Sequence, residues 1–181
     1  MSLPMLSPLI LAFTLAGTAP TPPPVDPAQV PRVDTRDLKK LFQREHHRLA
    51  AAFDHKDIDG YMAHYAAGLT FKDFDGSSRD FQAEKAFTKK FMSCVEKVKE
   101  HGHKVQRVSA TRNEAHVKTL EGWSFEIVDR ISMFGQEGKR HTISGEETYD
   151  ETWVKNGNEW KVRATTVTAR KVLVDGKPFK K

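Results

Sequence analysis

The chain has 181 residues, of which 38% are hydrophobic and 29% charged, enough for one globular domain with a core. Its net charge of +5 is a C-terminal feature, since the last 21 residues carry seven Lys or Arg against Asp175 alone. This excess fits a solvated strand edge, with an anionic partner as the alternative. No basic stripe is interleaved with aromatic residues, so the composition argues against nucleic-acid binding.

The first 25 residues contain no charge, and Leu9–Gly17 is an apolar run too short to span a bilayer. This run predicts a secretory signal over residues 1–19 and a secreted or periplasmic protein, with no membrane span after the signal is removed. Pro20–Val33 holds six prolines and predicts an extended linker, so the domain is expected over residues 34–181. A disordered N-terminal tail without a signal is the alternative.

The first helix is predicted from apolar residues at helical spacing after Asp34, which is placed to cap it. Glu45 lies near the centre of this apolar stripe, where a carboxylate needs a partner, a proton or a pocket. The alternative is a small rotation of the helix that lets Glu45 reach water. The stripe consists of Leu38, Leu41, Phe42, Leu49, Ala52 and Phe53.

Two further helices are predicted. Asp57 caps a short one, and His64 falls off its inner face, which predicts a surface histidine. The third is expected from about Ser78 to Val95. Cys94, the only cysteine, has no intrachain disulfide partner and is predicted to be a buried thiol. The inner face of the third helix is predicted to hold Ala83, Phe87, Phe91 and Cys94.

From Val105 onward the hydrophobic period changes to two, which predicts strands. Long strands are expected over residues 115–127 and 142–155, separated by the loop FGQEGK. Asn156-Gly157 is typical of a tight hairpin turn and leads into a third strand from residue 160 to about residue 174. Its inward-facing set changes phase near Thr165, which predicts a bulge that curves the sheet.

Three helices followed by an antiparallel sheet predict an α+β fold with the helices packed on one face of the curved sheet. A helix lying across a concave sheet leaves a cone-shaped cavity suited to a ligand. The long strands carry Val, Thr and Trp on both faces, so neither face is expected to be fully solvated. This pattern favours a homodimer built on the outer face.

Two stretches, AFDHKDIDGYMAHYAAGLTFKDFDG and ETWVKNGNEWKV, resemble the nuclear transport factor 2-like superfamily in its SnoaL-like branch. The first is similar to the family's helix, short helix and first strand, and the second to its late hairpin. The resemblance covers roughly residues 36–172 and implies a cystatin-like cone. It implies no single activity, because the superfamily includes isomerases, dehydratases and cyclases beside members that only bind or assemble.

Within this superfamily, the ketosteroid isomerase-like pattern offers the sharpest comparison for a reaction. Its general-base aspartate ends the first strand, and the matching residue here is Asp73. Its catalytic tyrosine falls on Leu49, and its second acidic donor falls near Tyr149 or Asp150. Since one position of three is matched, the resemblance does not support steroid-type isomerisation.

Asp73 and Glu45 are the candidate catalytic residues. Glu45 projects from the helix that would roof the cavity, and two carboxylates in one apolar space would titrate as a coupled pair. Asp73 would then act as the general base of an isomerase or dehydratase-type enzyme. The alternative is that Asp73 and Asp75 only shape the turn that follows the first strand.

The competing hypothesis is an exported protein that binds a small, largely apolar ligand, with no cofactor and no turnover. A third possibility is that the pocket is collapsed and that the protein functions only through its dimer. The ligand-binding residues are predicted to be Tyr61, Tyr65, Phe71, Phe87, Phe91, Glu121, Trp123 and Phe125.

Two histidine clusters were weighed as metal sites. They are His101-Gly-His103 and Glu45-His46-His47, and neither has a third ligand at a recognisable spacing. The sequence therefore predicts no metal.

Overall fold

The computed structural model describes residues 35–134 and 137–179. The predicted signal, the linker and the Asp34 cap lie outside the described residues. In chain order the elements are α1 (Thr35–Asp54), α2 (Ile58–Met62), β1 (Tyr65–Lys72), β2 (Ser78–Asp80), α3 (Phe81–Cys94), β3 (Val95–Ala110), β4 (Glu114–Val128), β5 (Arg140–Asn156), β6 (Glu159–Val174) and β7 (Lys177–Pro178).

Within the described residues, the strands form one sheet in the order β2-β1-β6-β5-β4-β3, and β7 pairs with β6. Every neighbouring pair is antiparallel except β1 and β6, which run parallel. The α+β class is confirmed, but the prediction of a wholly antiparallel sheet is wrong at this pair. Nearly the whole domain connects β1 to β6, and a connection of this length permits parallel pairing.

Two bulges in β6 contribute to the curvature of the sheet. The register of β6 against β5 shifts twice, and Arg163 and Thr168 each stand as an extra residue opposite β5. These two bulges flank Thr165, where the change of hydrophobic phase predicts one. Because a bulge bends its strand and increases the local twist, the pair curls the sheet around one face.

The helix α1 covers this face and packs against β3. Phe42 is fully buried, and its ring lies 4.7 Å from that of Trp153 in β5. The helix is rotated from the predicted orientation, so that Leu41 and Ala52 are only half-buried and the polar residue on the buried side is His46. The buried residues of α1 are Phe42, His46, Leu49, Ala50 and Phe53.

The third helix begins three residues later than predicted, because residues 78–80 pair with β1 as a short strand. Asp80 caps the helix by accepting a hydrogen bond from the Ala83 backbone amide at 2.8 Å. The predicted inner face is wrong at two of its four positions, since Ala83 and Phe87 are exposed. Cys94 is buried and free, as predicted. The buried residues of α3 are Glu84, Thr88, Met92 and Cys94.

Two local predictions are confirmed. The Asp57 side chain caps α2 by accepting a hydrogen bond from the Gly60 amide at 2.9 Å. Gly157 has a φ of +61° in the turn between β5 and β6, as a tight hairpin requires. No helix among the described residues is both long and apolar enough to cross a membrane.

Candidate functional site

A cavity of about 810 Å³ lies between the three helices and the curved sheet, so the pocket has not collapsed. All eight residues predicted to contact a ligand line it, although Phe87 stands at its exposed edge with 37% of its surface accessible. These residues are Tyr61, Tyr65, Phe71, Phe87, Phe91, Glu121, Trp123 and Phe125.

One wall of the cavity is aromatic. Trp123 and Phe125 in β4 are stacked with ring centroids 5.5 Å apart and planes 6° apart. Phe53 and Phe91 reach Phe125 from the helices at 5.5 and 6.2 Å. Gly145 in β5 makes room for the indole, since a Cβ there would lie 2.7 Å from Trp123 Cζ2. This wall offers flat, apolar surface to a bound molecule.

The polar part of the cavity lining is a chain of hydrogen-bonded side chains that begins at the end of α1. His101 Nδ1 lies 2.6 Å from Asp54 Oδ1, and its Nε2 lies 3.0 Å from Glu121 Oε1. The Tyr149 hydroxyl lies 2.5 Å from Glu121 Oε2 and also contacts Glu147 Oε2. Burial opposes charge on His101, but the two carboxylates outweigh it and raise its pKa.

Two carboxylates lie against the Tyr149 hydroxyl, which has only one proton to donate. Burial raises the pKa of Glu147 despite its polar neighbours. Burial also disfavours charge on Glu121, but His103 and His101 overcome it and lower the pKa of Glu121 to about 2. Of these two carboxyls, Glu147 therefore takes up a proton first as pH falls.

The polar chain continues through two arginines. Arg170 places Nε 2.6 Å from Glu147 Oε1 and its terminal nitrogen 2.6 Å from Asp73 Oδ1. Arg79 holds the other Asp73 oxygen at 3.0 Å and Glu84 Oε2 at 2.6 Å. Each arginine thus joins two carboxylates, and charges of both signs alternate along this side of the cavity.

Aromatic rings fix the position of Arg79. Its guanidinium carbon lies 4.6 Å from the Phe71 ring centroid and 4.4 Å from that of Phe87. Cation–π contacts of this kind stabilise a flat guanidinium. The exposed Phe87 thus helps to hold Arg79 at the edge of the cavity.

A second polar group is centred on Glu151, which also lines the cavity. His46 Nε2 lies 3.0 Å from Glu151 Oε2, and the Thr119 hydroxyl and Trp153 indole donate to the same oxygen at 3.2 and 3.1 Å. Burial would lower the pKa of His46, but the charge of Glu151 outweighs it and raises that pKa. The His46 ring also stacks on His103, 4.9 Å away.

His101, His103 and Glu121 come together on the cavity wall. Glu121 pairs directly across from His103 in the β3–β4 ladder, and His103 Nε2 lies 3.5 Å from Glu121 Oε1. The sequence spacing indicates no third ligand for these histidines, because the predicted strands begin only at Val105. In the structure β3 begins at Val95, so both histidines lie in β3 and pair with residues of β4.

No protein-family model matches the sequence, and no curated protein matches it. Solved structures do match its fold. A nuclear transport factor 2-like superfamily protein from Salmonella enterica serovar Typhimurium has a TM-score of 0.55 at 15% identity, over 75% of this chain and 92% of that one. A nuclear transport factor 2-like protein from Cytophaga hutchinsonii has a TM-score of 0.55 at 14% identity, over 76% and 99%.

The chain has a nuclear transport factor 2-like fold. A domain of unknown function with a cystatin-like fold from Nostoc punctiforme agrees, with a TM-score of 0.54 at 14% identity over 74% of this chain and 78% of that one. The resemblance read from two sequence stretches is thus confirmed for the fold. A shared fold at this identity does not carry an activity with it.

In this nuclear transport factor 2-like fold, Asp73 reaches the cavity as expected, but both its oxygens are engaged by arginines. Burial opposes its charge, yet Arg79, the Phe74 amide and Arg170 together lower its pKa below the ordinary value. A base of low pKa that is already paired is a poor proton acceptor. Asp75 has the turn role that was predicted, since it accepts from the Ser77 amide at 3.0 Å.

Glu45 is not at the cavity, which corrects the predicted pair with Asp73. It lies instead on the outer side of α1, 2.9 Å from Arg48 and 3.7 Å from His64 Nε2. His64 is itself largely buried rather than a surface residue. Burial therefore lowers the pKa of His64.

The structure also shows where the other two positions of the isomerase pattern lie. Leu49 is buried and lines the cavity without a hydroxyl. Of the two candidates for the second acidic donor, Tyr149 lines the cavity and Asp150 is exposed. Tyr149 donates within the polar chain, and the isomerase triad is not assembled.

We expect Asp73 to stabilise the fold in a pH-dependent way. Because its folded pKa is lowered, its contribution is present above the unfolded value of about 3.9 and is lost as pH falls through the folded value. Asp73→Asn should cost about 1.5–3 kcal/mol of unfolding free energy at pH 7, and less at pH 3.

Urea unfolding of the wild type and of Asp73→Asn at both pH values measures this difference. Asp150→Asn, at an exposed position, is the control and should change little at either pH. A cost of Asp73→Asn that is the same at pH 7 and pH 3 would contradict the arginine-paired carboxylate.

Proposed function

We propose that this domain binds one small, largely apolar molecule in the cavity. The observation that carries the proposal is a cavity of about 810 Å³ that is lined both by stacked aromatic rings and by a chain of hydrogen-bonded polar side chains. Ligand sites have this volume and this combination of apolar surface with a few fixed polar groups.

The two walls restrict the chemistry of the ligand. The stacked rings of Trp123 and Phe125 favour a flat or ring-containing body. The polar side chains of the cavity are already bonded to one another, so a ligand rich in charges would have to break existing pairs. A ligand with an apolar body and one or two hydrogen-bonding groups meets both conditions.

The alternative function, an isomerase or dehydratase with Asp73 as general base, has no specific support from the site. It requires Asp73 to accept a proton, while Arg79 and Arg170 hold that carboxylate in its charged form. We therefore propose binding as the function and assign no turnover to Asp73.

We also propose that the domain acts outside the cytoplasm. The support is the uncharged apolar run Leu9–Gly17 followed by a proline-rich linker. N-terminal sequencing of secreted or periplasmic protein should find a start between Gly17 and Pro24. Material that retains Met1 would contradict export.

The binding proposal is tested with N-phenyl-1-naphthylamine, a neutral dye whose fluorescence rises in apolar surroundings. We expect saturable binding with one site per domain, accompanied by energy transfer from Trp123. Val172 lines the cavity and is half-buried, so Val172→Trp should fill part of the space. The variant should weaken dye binding at least about tenfold, which equals about 1.4 kcal/mol.

Ala169→Trp is the matched control, because Ala169 lies on the same strand, is exposed and is not part of the cavity wall. It should bind the dye as the wild type does. Equal dye affinity in Val172→Trp and Ala169→Trp, or no saturable binding to the wild type, would refute the proposal.

A further inference from the structure

We propose that His101, His103 and Glu121 bind a divalent transition-metal ion, with zinc the best fit, on the wall of the cavity. Within residues 35–134 and 137–179, these three form the one group of His, Cys, Asp or Glu whose ligand atoms converge, all within 4.8 Å of one another. Two imidazoles and one carboxylate are a donor set that suits Zn²⁺ and related ions.

The separations between the ligand atoms suit such an ion. Glu121 Oε1 lies 3.0 Å from His101 Nε2 and 3.5 Å from His103 Nε2. Ligands at about 2.0–2.1 Å from a tetrahedral ion lie roughly 3.3 Å from one another. The observed distances fall on either side of that value, and the three ligand atoms all lie within 4.8 Å of one another.

The surroundings orient two of the three ligands. Asp54 Oδ1 lies 2.6 Å from His101 Nδ1, which directs Nε2 toward the site. Tyr149 occupies Glu121 Oε2 at 2.5 Å and leaves Oε1 facing the histidines. A carboxylate behind a ligating histidine and a donor behind a ligating carboxylate are the usual outer partners of a metal site.

His103 distinguishes this arrangement from a simple ion-pair network. Its side chain is 5% exposed, its Nδ1 is buried without a hydrogen-bond partner, and its Nε2 is 3.5 Å from Glu121. The hydrogen bonds from Asp54 through His101 to Glu121 form without His103. A buried imidazole that makes no hydrogen bond is costly, and metal ligation by Nε2 gives it a function.

Three protein ligands leave a coordination position open, and all three line the cavity. That position would accept an oxygen or nitrogen atom of a molecule in the cavity. The metal site does not depend on the proposed ligand, because the ion is bound by this chain's own residues. Its test uses the metal alone, so its failure is distinguishable from failure of the binding proposal.

The test is titration of chelator-treated protein with Zn²⁺ by calorimetry and with Co²⁺ by visible absorption. We expect one ion per domain and Co²⁺ bands typical of four- or five-coordinate geometry. His103→Gln and Glu121→Gln should each weaken Zn²⁺ binding at least about 100-fold, and Asp54→Asn, which acts through His101, about 10–100-fold.

His116→Gln is the control, because His116 forms an exposed pair with Glu114 at 3.3 Å elsewhere in the sheet. It should bind Zn²⁺ as the wild type does. Absence of one-to-one binding to the wild type would overturn the proposal whether or not the variants fold. So would Zn²⁺ binding that His103→Gln and Glu121→Gln retain undiminished.

Discussion

Replacing His46 with leucine should lower the free energy of unfolding by about 3–5 kcal/mol, the cost of removing one partner of a buried ion pair. The Glu151 side chain is 6% exposed and favours the charged form of His46, its partner at 3.0 Å. After the change, only the neutral Thr119 and Trp153 donors would face the carboxylate. Leucine has a similar volume, so the loss would come mainly from the uncompensated charge.

Urea unfolding at neutral pH, followed by tryptophan fluorescence, measures the loss as a shift of the midpoint at constant slope. His116→Leu removes an exposed histidine beside Glu114 and should cost less than about 1 kcal/mol. Adding Glu151→Gln to His46→Leu should recover part of the stability, because the amide carries no charge. If the double variant is no more stable than His46→Leu alone, the charge argument is wrong.

Replacing Arg79 with leucine should have an effect of comparable size, about 3–5 kcal/mol. Arg79 lies 2.6 Å from Glu84, whose side chain is 4% exposed, and 3.0 Å from Asp73. Arg170 still pairs with Asp73 in the variant, but Thr88 alone would contact Glu84. The variant should also loosen Phe87, which would lose the guanidinium against its ring.

Arg79→Lys and Arg163→Leu are the comparisons. A lysine keeps the charge but lacks the planar fork that reaches two carboxylates from separate nitrogens and stacks on the rings, so Arg79→Lys should be intermediate in stability. Arg163 forms an exposed pair with Glu114 at 2.8 Å, and its loss should cost no more than about 1 kcal/mol. Equal stabilities of Arg79→Leu and Arg163→Leu in chemical denaturation would contradict the account of the polar chain.

Local patterns predicted much of the fold. The helical spacing of α1, the Asp57 cap and the Asn156-Gly157 turn depend on residues close in sequence, and all are present. The seven aromatic residues predicted at the cavity also line it, because aromatic side chains on the inner faces of predicted elements converge when those elements pack. The pairing of β1 with β6 was missed because parallel pairing depends on residues far apart in the chain.

The polar part of the site could not be predicted for the same reason. Arg170 reaches Asp73 from the last long strand, and Glu121 meets His103 only through the β3–β4 register. A small rotation of α1 decided which polar residue was buried, since His46 and Glu45 are adjacent. His101 and His103 occupy alternate positions. This spacing indicates that they share one face of the sheet once β3 is known to include them.

If the cavity holds a small molecule, native mass spectrometry detects it directly. Wild-type protein from its own cells, or after incubation with an organic extract of those cells, should carry one bound small organic molecule per domain. Organic solvent should release that molecule, and Val172→Trp should lack it while Ala169→Trp retains it. A wild-type spectrum showing only the bare protein after that incubation, or an identical adduct on Val172→Trp, would contradict the account.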